Sequence, residues 1–310
     1  MRSSILSARI SKAVFIAFFC VSSWGFLIRD DVGRLVHFDV PPKRVVSLAP
    51  SITKTAFLLG AGDRLVGVTT FCTQPPEARL LPKVGTVVDF NIEEILRLKA
   101  DLVIGTTLAS RGLLKKVESL GVKVLIFRAP KNFRELCEQF MKLARVFGKE
   151  ERGLEILSKV EKRLKEVREG IPKGRRPRVF VQVGANPLWA AGKESFLGEA
   201  IEMAGGEDII RGQGGPIDRE LVIKMNPDVI LVVDMGIVGE REVNRWRQFD
   251  NLKAVREGKI FVIESDLYCS PTPVSFVEGV RILVDLLHGR GRSSMINDEL
   301  QHLRKTSGSR

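Results

Sequence analysis

Residues 184–195 read GANPLWAAGKES, and the Gly192-Lys193 pair after an apolar run has the outline of a phosphate-cradling loop. Such a loop needs a glycine five positions before the second glycine and a hydroxyl directly after the lysine. The chain has Pro187 and Glu194 at those places, and proline has no N–H to give a phosphate. Nucleotide chemistry is excluded at this stretch. It reads instead as a strand over 178–183, an Asn-Pro turn, an exposed Trp189 and a helix beginning near Ser195. Catalysis fares no better. A serine or cysteine nucleophile needs a histidine in reach. The histidines are His37, near the mature N-terminus, and His288 and His302, at or beyond the last helix. No G-x-S-x-G elbow closes a strand, and no Cys or His pair has metal-ligand spacing. The expectation is a binding protein with no enzyme activity, no metal and no cofactor of its own. Cys137 reads as a small core residue on the apolar side of a helix. Cys72 and Cys269 fall in loops, where a disulfide, a ligand contact or two free thiols are all open.

The elements that would position these residues alternate along the chain. Strands are expected at 45–49, 65–70, 101–106, 123–127, 178–183, 228–234 and 259–264. Helices are expected at 51–60, 91–99, 111–120, 195–204, 218–226 and 273–288. Continuous apolar strands such as DLVIG and DVILVV imply parallel sheets covered on both faces, so the class is α/β. Between the two sets, 132–170 has helical periodicity, many Glu, Lys, Arg and Leu residues and no proline. Flexible linkers are Gly/Ser-rich; this one reads as stiff, with Gly148 and Gly153 as places to bend. IEEILRLKADLVIG at 92–105 also matches RELVIKMNPDVILV at 219–232. Aligning Asp101 with Asp228 sets Glu93 on Glu220 and Leu98 on Met225. Two lobes of similar build joined by a stiff segment follow, with a ligand cleft between them.

Composition narrows the partners. The chain has 310 residues, 44% of them hydrophobic, and a net charge of +12 spread along its length. Its one basic run, KGRRPR at 173–178, lies between elements, and a single tyrosine leaves few aromatics to interleave with the charge. No nucleic-acid partner is expected. Arg2, Arg9 and Lys12, an apolar run from Ala13 to about Phe19, then Ser22, Ser23 and Gly25 follow the order of a secretory signal. The run is short for a membrane span, which takes about 20 apolar residues. Cleavage after Ser23 or Gly25 is expected. Cys20 as a lipid anchor is disfavoured by bulky Phe18 and Phe19 before it.

Three stretches carry a resemblance to a known family: PKRVVSLAPSITKTAFLLGAGDRLVGVTTFCTQPPEARLLPKVG, NIEEILRLKADLVIG and VFVQVGANPLWAAGKESFLGEAIEMAGGEDII. They resemble the helical-backbone solute-binding proteins of ABC importers, within them the cobalamin-binding branch, over about residues 43–288. The resemblance implies two Rossmann-like lobes joined by a long rigid α-helix, with the ligand clamped between the lobes. The implied boundaries are a signal peptide at 1–25, an N-terminal lobe at 26–130, a connecting helix at 131–170, a C-terminal lobe at 171–288 and a basic tail at 289–310. The implied ligand is a corrinoid, with a siderophore-bound iron or haem as the alternative. Carried over by position, Phe71, Trp189, Asp266 and Tyr268 would contact it. The implied partners are the importer's permease subunits with their ATPase. Glu93 and Glu220 would dock on permease arginines, and the binder would act as a monomer in the periplasm or otherwise outside the cytoplasm. Val87, Thr106 and Ser270 depart from the cobalamin branch, which has two tryptophans and an arginine there. That departure opens the ligand to relatives such as cobinamide.

Overall fold

The structure, a computed structural model, describes residues 25–234 and 239–289. The expected signal segment with Cys20, and the tail beyond residue 289, lie outside the described residues. The chain opens with a hairpin that the sequence reading missed, β1 (Phe26–Arg29) against β2 (Leu35–Phe38). Asp30 and Asp31 fasten it to the first sheet: Asp31 N–H donates to the Ile126 carbonyl at 2.9 Å, and Lys142 pairs with Asp31 at 2.6 Å.

The first lobe is β3 (Val45–Ser47), α1 (Pro50–Leu58), β4 (Leu65–Val68), α2 (Ile92–Arg97), β5 (Leu102–Thr106), α3 (Arg111–Ser119) and β6 (Lys123–Phe127). Its four strands run parallel in the order β4-β3-β5-β6. Val45, Val46, Leu102, Val103 and Ile104 are wholly buried, as expected of strands with helices on both faces. Polar residues set the helix starts. Asn91 accepts the Glu94 N–H at 3.0 Å to begin α2, and Ser110 accepts the Leu113 N–H to begin α3.

The connecting segment is two helices rather than one: α4 (Phe133–Val146) and α5 (Glu150–Glu169). Gly148 makes the break, with a φ of 59° that a residue with a Cβ takes only under strain. Gly153 does not bend the chain. It lies inside α5, where a Cβ would come within 2.9 Å of the Ala144 side chain, so it allows α5 to pass close over α4.

The second lobe follows as β7 (Arg178–Ala185), β8 (Leu188–Ala191), α6 (Phe196–Met203), β9 (Glu207–Asp208), β10 (Gly214–Pro216), α7 (Arg219–Met225), β11 (Val229–Asp234), α8 (Gly239–Trp246), α9 (Lys253–Arg256), β12 (Ile260–Glu264), α10 (Ser265–Tyr268) and α11 (Pro273–His288). β7, β11 and β12 run parallel, and β8 and β10 add an antiparallel edge in the order β10-β8-β7-β11-β12. That edge and α8 to α10 were not marked by the sequence reading.

The internal match between 92–105 and 219–232 reappears as geometry. Lys99 (φ 50°) and Asn226 (φ 48°) are the two non-glycine residues with positive φ among those described, and they occupy matching places. Each ends a short helix in the left-handed region and turns it directly into a strand. Around them the contacts repeat. Asp101 accepts the Arg44 N–H and the Arg44 guanidinium donates to the Leu98 carbonyl at 2.7 Å. Asp228 accepts the Arg178 N–H at 2.8 Å and Arg178 donates to the Met225 carbonyl at 2.8 Å. Val45 pairs with Leu102 as Val179 pairs with Val229.

Helices α4 and α5 join the lobes through packed side chains. α4 lies against α1 and α11, and α5 lies against α11 with Ile156, Val160, Leu164 and Val167 inward. One cluster of buried side chains runs from Ile52 and Leu125 through Phe140 and Ile156 to Leu231 and Leu283. Phe133 stacks on Phe276 at 4.8 Å, and the Phe133 N–H donates to Glu199 of α6 at 2.6 Å. A hinge of large amplitude would have to part these surfaces. Small-angle scattering curves with and without ligand are therefore expected to superimpose; clear compaction on binding would contradict a rigid connection.

Candidate functional site

In open α/β sheets ligands settle beyond the carboxyl ends of the strands. Here two such edges face one another, and a bond between the lobes marks the place. Lys54, on α1 just after β3, donates to the Asp266 carboxylate at 3.1 Å and to its carbonyl at 3.0 Å, on α10 just after β12. The lysine side chain is 12% exposed and that of Asp266 49%, so the pair bridges the lobes from a partly open position. Asp266 is engaged with the opposite lobe through Lys54.

Phe71 stands on the loop after β4 and is 60% exposed. Its neighbours are anchored inward: Cys72 is buried with its sulfur 3.2 Å from the Thr53 hydroxyl and 3.1 Å from that of Thr69. Lys83 straps the following turn by donating to the Ala78 carbonyl at 2.8 Å, and its burial holds its amine below the usual lysine range. With both sides of the loop fixed, Phe71 is left outward. Val88 and Leu108 are exposed on adjacent loops of the same lobe. Cys72 is not a loop thiol open to ligand, and it is not paired with Cys269; both are free.

Trp189 is on β8 of the second lobe and is 46% exposed. Strand alternation explains this, because Leu188 and Ala190 on either side are buried. Its cross-strand neighbours are Gly184 on β7 and Pro216 on β10. Beneath this hairpin lies a polar network that the sequence did not reveal. Glu242 is 1% exposed and accepts from Gln182 at 2.8 Å, from Arg219 at 2.6 Å and from Arg245 at 2.6 Å. The Trp246 indole N–H donates to Gln182 at 2.7 Å, and the Arg219 guanidinium lies over the Trp246 ring at 4.1 Å. Burial pushes the Glu242 carboxyl up, but the Gln182 and Arg219 donors outweigh it and hold it below the ordinary glutamate range. Since β7 leads into the Trp189 turn, this network fixes the base of that turn.

Tyr268 requires a correction. It is 5% exposed, its hydroxyl donates to the Gly279 carbonyl at 3.0 Å, and its ring packs on α11. A short helix, α10, turns the side chain from the loop into the core, so Tyr268 is withdrawn from the ligand contacts. His288 is held on the Ala204 carbonyl at 3.0 Å, at the far end of α11.

Glu93 and Glu220 are exposed in the first turns of α2 and α7. Because α7 runs back along the sheet, its start lies on the same edge as the cleft, and the repeat places α2 likewise. Among the described residues neither glutamate makes an ion pair or side-chain hydrogen bond, whereas adjacent Glu94 is taken by Arg97 at 2.6 Å. No described helix is long and apolar enough to cross a membrane, and no group of three or more potential metal ligands occurs among the described residues.

A model for a family described as periplasmic binding protein matches residues 45–267. An ABC transporter substrate-binding lipoprotein of Bacillus subtilis, YvrC, is 28% identical over 270 residues, covering 84% of this chain and 85% of its own. The vitamin B12-binding protein of Yersinia pestis is 29% identical over 198 residues, covering 61% of this chain and 69% of its own. The solved structure of the periplasmic heme-binding protein HutB of Vibrio cholerae superposes with a TM-score of 0.72 at 19% identity, covering 79% of this chain and 98% of that one.

Proposed function

The chain belongs to the periplasmic binding protein family, as a substrate-binding protein of an ABC importer, and on that premise we propose that its cargo is a corrinoid. It is exported behind the 1–25 signal segment and works outside the cytoplasm as a monomer, handing its ligand to permease subunits driven by their ATPase. The observation that carries this reading is one exposed aromatic ring per lobe, Phe71 and Trp189, in lobes bonded to each other by Lys54 and Asp266. A flat macrocycle offers two faces to such rings and buries apolar area against them.

Haem or a ferric siderophore is the second reading. Haem iron draws an axial ligand from the protein, commonly His, Tyr, Cys or Met. The chain's one tyrosine is committed to Gly279, His288 to Ala204, and His37 lies on the hairpin strand β2. A corrinoid needs no such ligand, whereas haem would have to recruit the free, exposed Cys269 beside Asp266. Calorimetric titration with cyanocobalamin, dicyanocobinamide, haemin and a ferric siderophore tests the reading. A Kd of about 1 µM or tighter, about −8 kcal/mol, is expected for a corrinoid alone. Trp189→Ala is expected to weaken that binding by about 1–3 kcal/mol while the apo melting temperature holds, as befits a half-exposed ring. Haemin binding without corrinoid binding would overturn the assignment.

A further inference from the structure

Two buried carboxylate oxygens at the edge of the second lobe have no hydrogen-bond partner: Asp208 Oδ2 and Glu202 Oε1. Asp208 is 4% exposed on β9, and its other oxygen accepts the Ile210 N–H at 2.9 Å. Glu202 is on α6, which packs against β9, and its other oxygen accepts from Arg176 at 2.7 Å. Lys193 stands 3.7 Å from Glu202 Oε1, too far for a hydrogen bond. A buried acceptor without a donor is costly, and two neighbouring acceptors cannot satisfy each other. We propose that Asp208 and Glu202 hold one proton between them, a carboxyl–carboxylate bond that ties β9 to α6. The proton supplies the one missing donor and serves both orphaned oxygens.

The surroundings favour it. Burial first, and then the charge of Glu202, push the Asp208 carboxyl up to about 7, against the pull of the Ile210 N–H and Lys193. Arg176 is spent on Glu202 and on the Gly206 carbonyl, and Arg178 of β7 on the far turn at Met225. His288 of α11 is held by the Ala204 carbonyl, and Glu207 and Arg211 are exposed. Lys193, its side chain 56% exposed, is the remaining cation and stands beyond hydrogen-bond distance of Glu202 Oε1.

Asp208 begins the segment that braces Trp189. The carbonyls of Ile210 and Gly212 accept the N–H groups of Lys193 and Glu194, both at 2.8 Å, and β10 then pairs Pro216 with Trp189. Because the folded state holds the proton more tightly than an ordinary aspartate at 3.8, stability falls as pH rises from that value, and the full loss is present above about 7. The cleft wall is firm below neutrality and loosens above it.

Asp208→Asn supplies a permanent donor in the shape of the protonated acid. The melting-temperature advantage of Asp208→Asn over the wild type is expected to be smallest below about pH 3.8 and to grow by roughly 4 °C or more between there and pH 9. Amides of 209–215 should exchange more slowly in the variant at the higher pH. Carboxyl NMR of the wild type gives a second measure should the variant fail to fold, with one buried carboxyl expected to titrate near neutrality. Parallel melting curves, or carboxyls all titrating in the ordinary acid range, would overturn the shared proton. None of these readouts uses the cargo, so their outcome is independent of the corrinoid reading.

Discussion

Reversing two charges, Glu93→Lys with Glu220→Lys, is expected to abolish delivery to the cognate importer while corrinoid affinity stays within about twofold. Both glutamates are exposed, both lack an ion-pair partner among the described residues, and both open helices related by the internal repeat. If each docks on a permease arginine, as the family resemblance implies, the change removes two charge-assisted contacts and adds like-charge repulsion on both lobes. The structural cost is small by comparison. A lysine in place of a first-turn acid disfavours the helix dipole by about 0.3–1 kcal/mol at each site. Reconstituted vesicles containing the importer check the prediction through uptake and complex formation. Wild-type uptake by the double variant would reduce both acids to helix-start residues.

Glu242→Ala should destabilise the second lobe strongly. It would leave the buried end of Arg219, whose side chain is 21% exposed and whose Nη1 already lacks a partner, without its counter-charge, and Gln182 without an acceptor. Breaking a buried ion pair from one side costs about 3–5 kcal/mol, and the partial exposure of Arg219 places this case near about 3 kcal/mol. Denaturant unfolding measures it. Adding Arg219→Met in the same chain should restore part of the loss, because the stranded charge goes too. A cost below about 1 kcal/mol would show that water replaces the glutamate without penalty. The pH dependence has a definite sign. The folded Glu242 is held below its ordinary value of 4.5, so its contribution is complete above that pH and is lost as pH falls through the folded value. Asp208 behaves in the opposite sense, losing stability on the alkaline side.

The sequence stated most of the scaffold because the scaffold rests on local periodicity. Strands buried on both faces read as unbroken apolar runs, and helices opened by Asn91, Ser110 and Ser195 announce their starts. The repeat was legible for the same reason: Glu93, Asp101, Glu220 and Asp228 lie in segments of one pattern. Short elements were missed. The β1–β2 hairpin and the β8–β10 edge owe their existence to partners elsewhere in the chain.

The site divides along the same line. The family resemblance singled out Phe71 and Trp189, their proline-rich loop settings spoke for outward rings, and both rings are exposed. Partner choice is not local. Lys54 and Asp266 are 212 residues apart, and only the folded lobes bring them within 3.1 Å. Tyr268 sits beside Asp266 in sequence, yet one turn of α10 sends its hydroxyl into the core while Asp266 bonds to Lys54. The sequence by itself determined the class, the two halves and the helical character of the segment between them. Tertiary structure alone decided which polar groups find partners and which are left buried without one, because burial and hydrogen-bond satisfaction depend on every element packed around a group.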